Sequence, residues 1–201
     1  MTRKDYDNLY RHYVGVDEAG RGCISGSMFF VGVTLKEGVE PSDIEFACDS
    51  KKTKHSHRVE MAKKLKELVD YFVVETHPEA IDSLGLSACI SNSLRQIQSH
   101  FKKPVIYDGN TNYKVDGIET IVKGDDKVSL IASASIFAKL LKDRDSEKLD
   151  TIYPEYGFIK HSGYLTQLHI DKIIEFGFSP AHRKSYSVKK LDGIDLPERY
   201  K

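Results

Sequence analysis

Near its amino terminus the chain reads Tyr13-Val14-Gly15-Val16-Asp17-Glu18-Ala19-Gly20-Arg21-Gly22. The apolar residues at the start of this stretch predict a short buried strand, and residues 28–35 predict a second one. The acidic and glycine-rich residues therefore fall in the connection between two strands, where functional residues are often carried. Adjacent carboxylates at this point can bind a cation, and the glycines let backbone amides approach a phosphate.

The rest of the chain alternates between helical and strand patterns. Apolar residues at helical spacing predict helices over residues 54–70, 78–100 and 128–148, the second of them divided by Gly85. Further strands are predicted at residues 71–75, 104–107 and 119–122. Strands in mixed order with helices between them predict an α/β fold whose sheet begins with an antiparallel hairpin.

The character of the sequence changes from residue 153, where glycine, proline, aromatic and basic residues become frequent. A helix is predicted over residues 166–176, with Thr166 as its N-cap and Gly177 just past its end. We interpret this segment as a C-terminal substructure of the same domain, too small to have a core of its own.

Composition places the chain among globular proteins. Its 201 residues, 40% of them hydrophobic, suffice for one domain with a modest extension. The 30 basic residues equal the 30 acidic ones, so net charge gives no argument for a nucleic-acid partner. Local positive charge exists at residues 51–58 and at 181–201, where six basic residues face three acidic ones. Taken alone, such clusters are more typical of a solvated helix entry and a polar tail than of a surface that binds nucleic acid.

Cysteine spacing and targeting signals exclude several further classes. The three cysteines, Cys23, Cys48 and Cys89, show no CxxC spacing, so we expect small buried thiols in a reducing compartment. No apolar run approaches the roughly 20 residues of a membrane span, and no signal-peptide pattern opens the chain. A cytoplasmic protein is expected.

Acidic residues follow three of the predicted strands: Asp17 and Glu18 the first, Asp108 the fourth and Asp125 the fifth. If these strands are neighbours, the carboxylates converge on one edge of the sheet. They would then repel one another unless a cation compensates, and oxygen ligands of this type select hard divalent ions such as Mg²⁺ or Mn²⁺. Such a cluster suits two-metal phosphodiester hydrolysis.

Each isolated acid also has an ordinary structural interpretation. Asp125 or Asp126 can cap the long helix that follows, and Asp108 can belong to a simple turn with the glycine after it. No capping or turn role accounts for both Asp17 and Glu18.

Residues 17–22 resemble the signature of ribonuclease HII, the type 2 ribonuclease H family. Further blocks resemble the family in the same order: Asp49-Ser50-Lys51-Lys52, Tyr107-Asp108-Gly109-Asn110, Lys123-Gly124-Asp125, Ala134-Ser135-Ile136-Phe137-Ala138-Lys139, Tyr153-Pro154-Glu155-Tyr156-Gly157-Phe158, Gly163-Tyr164 and His182-Arg183-Lys184-Ser185-Tyr186. The matching blocks span residues 14 to about 186.

The resemblance implies an RNase H-like fold, with a mixed five-stranded sheet flanked by helices. It implies a catalytic core over residues 1–150 and, over residues 151–201, a helical substrate-binding extension of the same domain. The implied reaction is metal-dependent hydrolysis of the RNA strand of RNA/DNA hybrids, together with incision 5′ to a ribonucleotide embedded in duplex DNA. The products carry 3′-hydroxyl and 5′-phosphate ends. No obligate protein partner is implied, and a monomer is the simplest expectation.

By position, the resemblance implies that Asp17, Glu18, Asp108 and Asp125 are the catalytic, metal-binding carboxylates. Asp125 is preferred to Asp126 because it directly follows Lys123-Gly124.

The same resemblance implies substrate contacts. The backbone of Gly20-Arg21-Gly22 is expected to read the 2′-hydroxyl group, which alone distinguishes RNA from DNA locally. Tyr164 is expected to stack near the ribonucleotide, the alternative being a tyrosine buried against the following helix. Phosphate contacts are expected from Lys51, Lys52 and Arg183.

The sequence departs from the usual family pattern at four positions. Proline is common at Cys23, leucine at Thr53, lysine at Ser162 and phenylalanine at Tyr186. We expect Cys23 to loosen the turn that positions Arg21, and the missing lysine at Ser162 to weaken duplex binding slightly.

Two alternatives differ from this interpretation. Ribonuclease HIII carries an extra N-terminal substrate-binding domain, which is not expected here because only about a dozen residues precede the first predicted strand. A catalytically inactive nucleic-acid-binding module on the same fold is disfavoured by the presence of all four acids.

Overall fold

A computed structural model describes the backbone of residues 1–52 and 54–200 and the side chains of residues 1–47 and 54–200. Strands β1 to β5 span Val14–Ala19, Met28–Leu35, Val69–Thr76, Val105–Asp108 and Ile118–Ile121. Helices α1 to α7 span Arg3–Tyr10, His55–Leu68, Pro78–Leu84, Leu86–Phe101, Ser129–Ile152, Phe158–His161 and Gln167–Phe176. Helices of the 3₁₀ type lie at Pro41–Lys52, Gly124–Asp126, Pro154–Tyr156 and Lys189–Leu191. Within these described residues, no helix is both long enough and apolar enough to cross a membrane.

The five strands form one mixed sheet in the order β3-β2-β1-β4-β5. The β1–β2 and β2–β3 pairs are antiparallel, whereas the β1–β4 and β4–β5 pairs are parallel. The predicted α/β fold with an antiparallel hairpin at its start is confirmed. Because β1, β4 and β5 are parallel neighbours, their carboxyl-terminal ends lie at the same edge of the sheet.

Helix α5 packs on one face of the sheet, directly against β1. Its first turns bury the small residues Ala132, Ser133, Ala134 and Ser135. Gly15 on β1 lies so close to this helix that an added Cβ would fall 2.5 Å from the carbonyl carbon of Leu130. These small residues let the helix approach the sheet closely, and a side chain at Gly15 would force the two elements apart.

The opposite face of the sheet is covered by helix α4. Ile90, Leu94 and Ile97 of this helix are buried against an apolar cluster that includes Val14 and Val105. Gly85, with φ of +82°, separates α3 from α4 as the sequence predicts. The sheet is therefore buried on both faces, which positions its edges rigidly.

Helix α1 is an element that the sequence pattern does not predict, and it caps α5. Oδ1 of Asp7 accepts a 2.7 Å hydrogen bond from the Ser129 backbone N–H, and Oδ2 accepts a 2.8 Å bond from the Ser129 hydroxyl. A carboxylate at a helix N-terminus pairs unsatisfied donors and is favoured by the helix dipole. The alternative that Asp125 or Asp126 occupies the N-cap position is wrong, because Val128 lies there.

The residues after α5 have an apolar cluster of their own. Buried in it are Ile24, Tyr156, Phe158, Ile170, Ile173, Ala181, Val188 and Leu191. Thr166 is the N-cap of α7, as predicted, and its Oγ1 accepts a 3.3 Å hydrogen bond from the His169 backbone N–H. The aromatic and branched residues of this segment pack on one another, on Ile24 of the loop between β1 and β2 and on Leu149 of α5, which joins the segment to the rest of the domain.

Candidate active site

Three carboxylates meet at the carboxyl-terminal edge of β1, β4 and β5. Asp17 lies on β1, Asp108 ends β4, and Asp125 lies in the 3₁₀ helix that follows β5. One carboxylate oxygen of each lies within 4.8 Å of the others. The convergence expected from neighbouring strands therefore occurs for these three residues, which we call the acidic group.

Backbone amides orient two members of the acidic group. The Gly124 N–H donates a 2.9 Å hydrogen bond to Oδ1 of Asp108. The Glu18 N–H donates a 2.8 Å bond to Oδ1 of Asp17. Gly124 is itself confined, since an added Cβ would lie 2.6 Å from Cδ1 of Ile131 on α5. The position of Asp108 is thereby set by the packing of α5 on the sheet.

Burial and mutual repulsion make Asp17 and Asp108 hard to ionise. Burial, followed by the charges of Glu18 and Asp108, raises the pKa of Asp17 to about 8. Burial also raises the pKa of Asp108, with a further contribution from the neighbouring Asp125 carboxylate. Added positive charge would relieve both effects, and carboxylate oxygens are ligands of hard divalent cations. The donor set of the acidic group fits such a cation.

Glu18 lies beside the acidic group and is held by two other side chains. The Tyr107 hydroxyl donates a 2.7 Å hydrogen bond to Glu18 Oε2, and Nη1 of Arg21 lies 3.6 Å from Glu18 Oε1. Among the described residues, Glu18 is not one of the three carboxylates whose oxygens approach one another. The sequence shows Tyr107 only as the residue before Asp108, because its contact with Glu18 depends on the pairing of β1 with β4.

The Gly20-Arg21-Gly22 segment leaves β1 at this edge and meets Tyr164. Gly20 has φ of +85°, and an added Cβ there would lie 2.7 Å from the Ser27 carbonyl oxygen. A Cβ on Gly22 would lie 3.9 Å from Cε1 of Tyr164. Tyr164 is 50% exposed, so the alternative of a tyrosine buried against the following helix is wrong. The structure brings the two predicted substrate-reading elements together.

Arg183 supports the loop between β1 and β2 from inside the protein. It is only 1% exposed. Its Nε and Nη2 donate to the Gly26 carbonyl at 3.1 and 2.8 Å, and its Nη1 donates to the Arg21 carbonyl at 3.1 Å. The expected phosphate contact is therefore corrected, because the guanidinium group is buried and directed at backbone oxygens.

Two of the residues that depart from the family pattern, Tyr186 and Cys23, also form contacts that hold this loop. The hydroxyl of Tyr186, where phenylalanine is usual, donates a 2.9 Å hydrogen bond to the Arg21 carbonyl. Cys23 is buried, and its thiol lies 3.3 Å from the Ser162 carbonyl oxygen that accepts from it. The turn that Cys23 was expected to loosen thus has a contact to the segment that carries Tyr164.

A buried ion pair on α5, which sequence reasoning missed, faces the same loop. Nζ of Lys142 lies 2.7 Å from Oδ2 of Asp145 and donates a 3.3 Å bond to the Ser25 carbonyl. Asp145 Oδ2 accepts a 3.1 Å bond from the Ser27 N–H. Charged residues on a long helix ordinarily indicate a solvated face, so only their burial reveals this role. The side chains of Lys51 and Lys52, the other predicted phosphate contacts, lie outside the described residues, as does Thr53.

The sheet order and the similar solved structures define the class of this protein as the RNase H-like fold. Two solved structures share the fold. The RNase HII of a PCNA:RNase HII complex from Archaeoglobus fulgidus is similar with a TM-score of 0.77 at 22% identity, covering 88% of this chain and 96% of that one. Ribonuclease H2 from Pyrococcus horikoshii OT3 is similar with a TM-score of 0.70 at 25% identity, covering 90% and 96%.

Sequence comparison specifies the family. The family model described as ribonuclease HII matches residues 14–189. Ribonuclease HII of Sulfurovum sp. (strain NBC37-1) is 39% identical over 179 residues, which is 89% of this chain and 93% of the relative. That of Helicobacter pylori (strain HPAG1) is 40% identical over 186 residues, or 88% and 91%. The chain belongs to the ribonuclease HII family, whose members are metal-dependent hydrolases that act on RNA/DNA substrates.

Proposed function

We propose that this chain hydrolyses the RNA strand of RNA/DNA hybrids and incises duplex DNA on the 5′ side of an embedded ribonucleotide, leaving 3′-hydroxyl and 5′-phosphate ends. The observation that carries the proposal is the approach of Tyr164 to Gly22 beside the acidic group, where a Cβ on Gly22 would lie 3.9 Å from the tyrosine ring. A centre for phosphodiester hydrolysis and a surface for a ribose thereby lie side by side.

Asp17, Asp108 and Asp125 would hold the divalent ions, with Glu18 completing the ligand set from its adjacent position. When bound, Mg²⁺ or Mn²⁺ ions would activate the attacking water and stabilise the charge on the leaving 3′ oxygen. The protein keeps its carboxylates in place for this task. The Gly124 N–H orients Asp108, and the Tyr107 hydroxyl orients Glu18.

The backbone of Gly20-Arg21-Gly22 would recognise the 2′-hydroxyl group. Arg183 and Tyr186 both donate to the Arg21 carbonyl, so this segment is held from inside the protein. A site built to hydrogen-bond a hydroxyl group leaves its own polar atoms unpaired when the hydroxyl is missing, and discrimination on the order of 10⁴-fold then becomes attainable. The half-exposed guanidinium of Arg21 would contact a phosphate oxygen from the same segment.

Tyr164 would stack on the nucleotide that carries the hydroxyl group. Its ring is half exposed next to Gly22, and stacking of a base on an aromatic ring contributes about 1–3 kcal/mol. The residues after 150 would act as an extension of the catalytic domain that holds the duplex. Their apolar cluster makes them a firm support for this ring.

The experiment that tests this function compares the parent protein with Asp108→Asn. After removal of metal by a chelator, the parent should not cleave a labelled RNA/DNA hybrid, and addition of Mg²⁺ or Mn²⁺ should restore cleavage. Asp108→Asn should bind the hybrid with similar affinity and cleave it slower by orders of magnitude, because a charged ligand is lost.

Other outcomes distinguish the alternatives. A parent protein that binds the hybrid and cleaves nothing with either ion would indicate an inactive binding module. Cleavage of hybrids without incision at a single ribonucleotide would indicate a specificity like that of ribonuclease HIII.

A further inference from the structure

Three histidines outside the acidic group lie buried against one another in the C-terminal part of the domain. The rings of His161 and His169 stack with centroids 4.1 Å apart, and those of His169 and His182 lie 5.2 Å apart. All three are buried, and His169 is fully so. We call these three residues the histidine cluster.

Hydrogen bonds determine which ring nitrogens of His182 and His169 carry a proton. The Ser179 backbone N–H lies 3.0 Å from His182 Nδ1 and can only donate, so this nitrogen accepts. The proton of the neutral His182 ring is then on Nε2, which lies 3.0 Å from His169 Nε2. His169 therefore accepts at Nε2 and carries its own proton on Nδ1, which donates to the Tyr164 carbonyl at 3.0 Å.

His161 holds Gly163, the residue before Tyr164, in the same way. Its Nδ1 accepts a 3.2 Å hydrogen bond from the Gly163 N–H. Its Nε2, which carries the proton, lies 3.1 Å from the Tyr156 carbonyl. All ring nitrogens of the histidine cluster thus have partners when the three rings are neutral.

The physical environment keeps these rings neutral. Burial lowers the pKa of His169 to about 4 and that of His182 to about 3, and it also lowers the pKa of His161. A second proton on His161 or His169 would face a donor and lack an acceptor, and one on Nδ1 of His182 would face the Ser179 N–H, with the Ser179 hydroxyl 2.8 Å away. The direction of each hydrogen bond in the histidine cluster is therefore fixed at neutral pH.

The segment held by these bonds is strained and carries an exposed ring. Ser162 and Gly163 have φ of +50° and +84°, and a Cβ at Gly163 would lie 2.5 Å from the Ser25 carbonyl oxygen. A non-glycine residue at positive φ persists only where its surroundings hold it. Half of Tyr164 is exposed, so the position of its ring depends on its backbone and on the interaction of its hydroxyl with the Cys23 thiol.

We infer that the histidine cluster consists of positioning residues, which hold the Gly163–Tyr164 backbone so that the Tyr164 ring meets the ribonucleotide beside Gly22. This inference rests on the proposed role of Tyr164. The competing explanation is that the three histidines only fill space in the C-terminal core. The two explanations differ in whether one particular bond, His169 Nδ1–H to the Tyr164 carbonyl, affects the reaction.

The first measurement is the protonation pattern of the parent protein, read from long-range ¹⁵N–¹H correlation spectra of the histidine rings. We expect the proton on Nδ1 of His169 and on Nε2 of His161 and His182, with all three rings neutral at pH 7. A proton on Nε2 of His169, or a charged ring at pH 7, would overturn the inference even if every variant failed to fold.

The second measurement uses two substitutions that separate the nitrogens of His169. His169→Asn keeps a donor at the Nδ1 position, whereas His169→Gln keeps an acceptor at the Nε2 position and loses that donor. Loss of one hydrogen bond should slow incision at a single embedded ribonucleotide about tenfold in His169→Gln. His169→Asn should stay within about threefold of the parent.

A third comparison places His169→Gln in a Tyr164→Ala background. If the histidine acts through the Tyr164 ring, the His169→Gln substitution should not lower the incision rate further once that ring is absent. Equal losses in the Gln and Asn variants, or a full additional loss in the Tyr164→Ala background, would show that the histidines only fill space. A parent that does not incise single ribonucleotides would contradict the proposed function, while the protonation pattern would still decide whether His169 holds the Tyr164 carbonyl.

Discussion

The hydroxyl group of Tyr107 donates a 2.7 Å hydrogen bond to Oε2 of Glu18, although the two residues are 89 positions apart in the chain. The parallel pairing of β1 with β4 brings them together. Burial raises the pKa of Tyr107 well above its usual range, so the hydroxyl keeps its proton and remains a donor. Glu18 is thereby held next to the acidic group by the residue that precedes Asp108.

Tyr107→Phe should slow hybrid cleavage about 10- to 100-fold, because a hydrogen bond to a charged group contributes about 1.5–3 kcal/mol. The ring should keep its packing near Phe30, whose centroid lies 5.9 Å away. Steady-state turnover at saturating Mg²⁺ is the measurement. Tyr113→Phe, at a ring 6.4 Å from that of Tyr107, is the matched control and should cleave like the parent. Equal turnover of both variants would contradict the role assigned to this contact.

Asp125→Asn and Asp126→Asn should differ sharply, although the residues are adjacent. Asp125 is buried and belongs to the acidic group, whereas Asp126 is exposed. We expect cleavage to fall by orders of magnitude in Asp125→Asn and to change less than about twofold in Asp126→Asn. The test is the rate at which each variant cleaves an RNA/DNA hybrid in the presence of Mg²⁺ or Mn²⁺. A larger loss in Asp126→Asn would assign the ligand to the other residue.

Asp17 should make the metal-free protein less stable as the pH rises. Its folded-state pKa of about 8 lies above the ordinary aspartate value of 3.8, so the folded state binds more protons than the unfolded state between these values. The free energy of unfolding therefore falls with increasing pH through this window. Without metal, Asp17→Asn should have a higher Tm than the parent, by roughly 3 °C or more at pH 8.5 and by less at pH 5.

Divalent ions should reverse this effect in the parent. Calorimetry should show that Mg²⁺ raises the parent Tm more at pH 8.5 than at pH 6, because the cation binds the ionised carboxylates. A Tm difference between parent and Asp17→Asn that does not change with pH would contradict the burial of an ionisable group at this position.

Arg183→Lys should reduce stability without changing the salt dependence of substrate binding. Lysine cannot reproduce the guanidinium bonds to the Gly26 and Arg21 carbonyls, so we expect a loss of about 2–4 kcal/mol in the free energy of unfolding. Chemical denaturation and a binding titration over a range of salt concentrations provide the two readouts. In Arg183→Gln, which removes the charge, a slope of log K against log salt that falls by about one, with unchanged stability, would restore the phosphate contact predicted from the sequence.

The sheet and its acidic edge were accessible from the sequence because they depend on local patterns. Alternating and continuous apolar runs predict the strands, and carboxylates directly after three of them predict where Asp17, Asp108 and Asp125 gather once those strands are neighbours. Gly85 marks a helix end through its positive φ and Thr166 through a side-chain hydrogen bond to its own helix, and both effects are local in the sequence.

Contacts between distant parts of the chain were not accessible in the same way. The cap that Asp7 places on Ser129 spans 122 positions, and nothing in the first residues distinguishes that aspartate from a surface acid. Arg183 is a residue type that often contacts phosphate, but here it is buried and donates hydrogen bonds to backbone carbonyls. Burial and hydrogen-bond direction, which separate these roles, arise only when β1, α5 and the C-terminal part pack together.

The decisive experiment is cleavage of a DNA duplex that contains a single ribonucleotide, with the position of incision mapped at nucleotide resolution. With Mg²⁺ or Mn²⁺, the parent should cut once, on the 5′ side of the ribonucleotide, and leave 3′-hydroxyl and 5′-phosphate ends. Tyr164→Ala should cut this substrate more slowly, and an all-DNA duplex should remain intact. Incision at another position, cutting of the all-DNA duplex, or full activity after removal of the divalent ions would contradict the account.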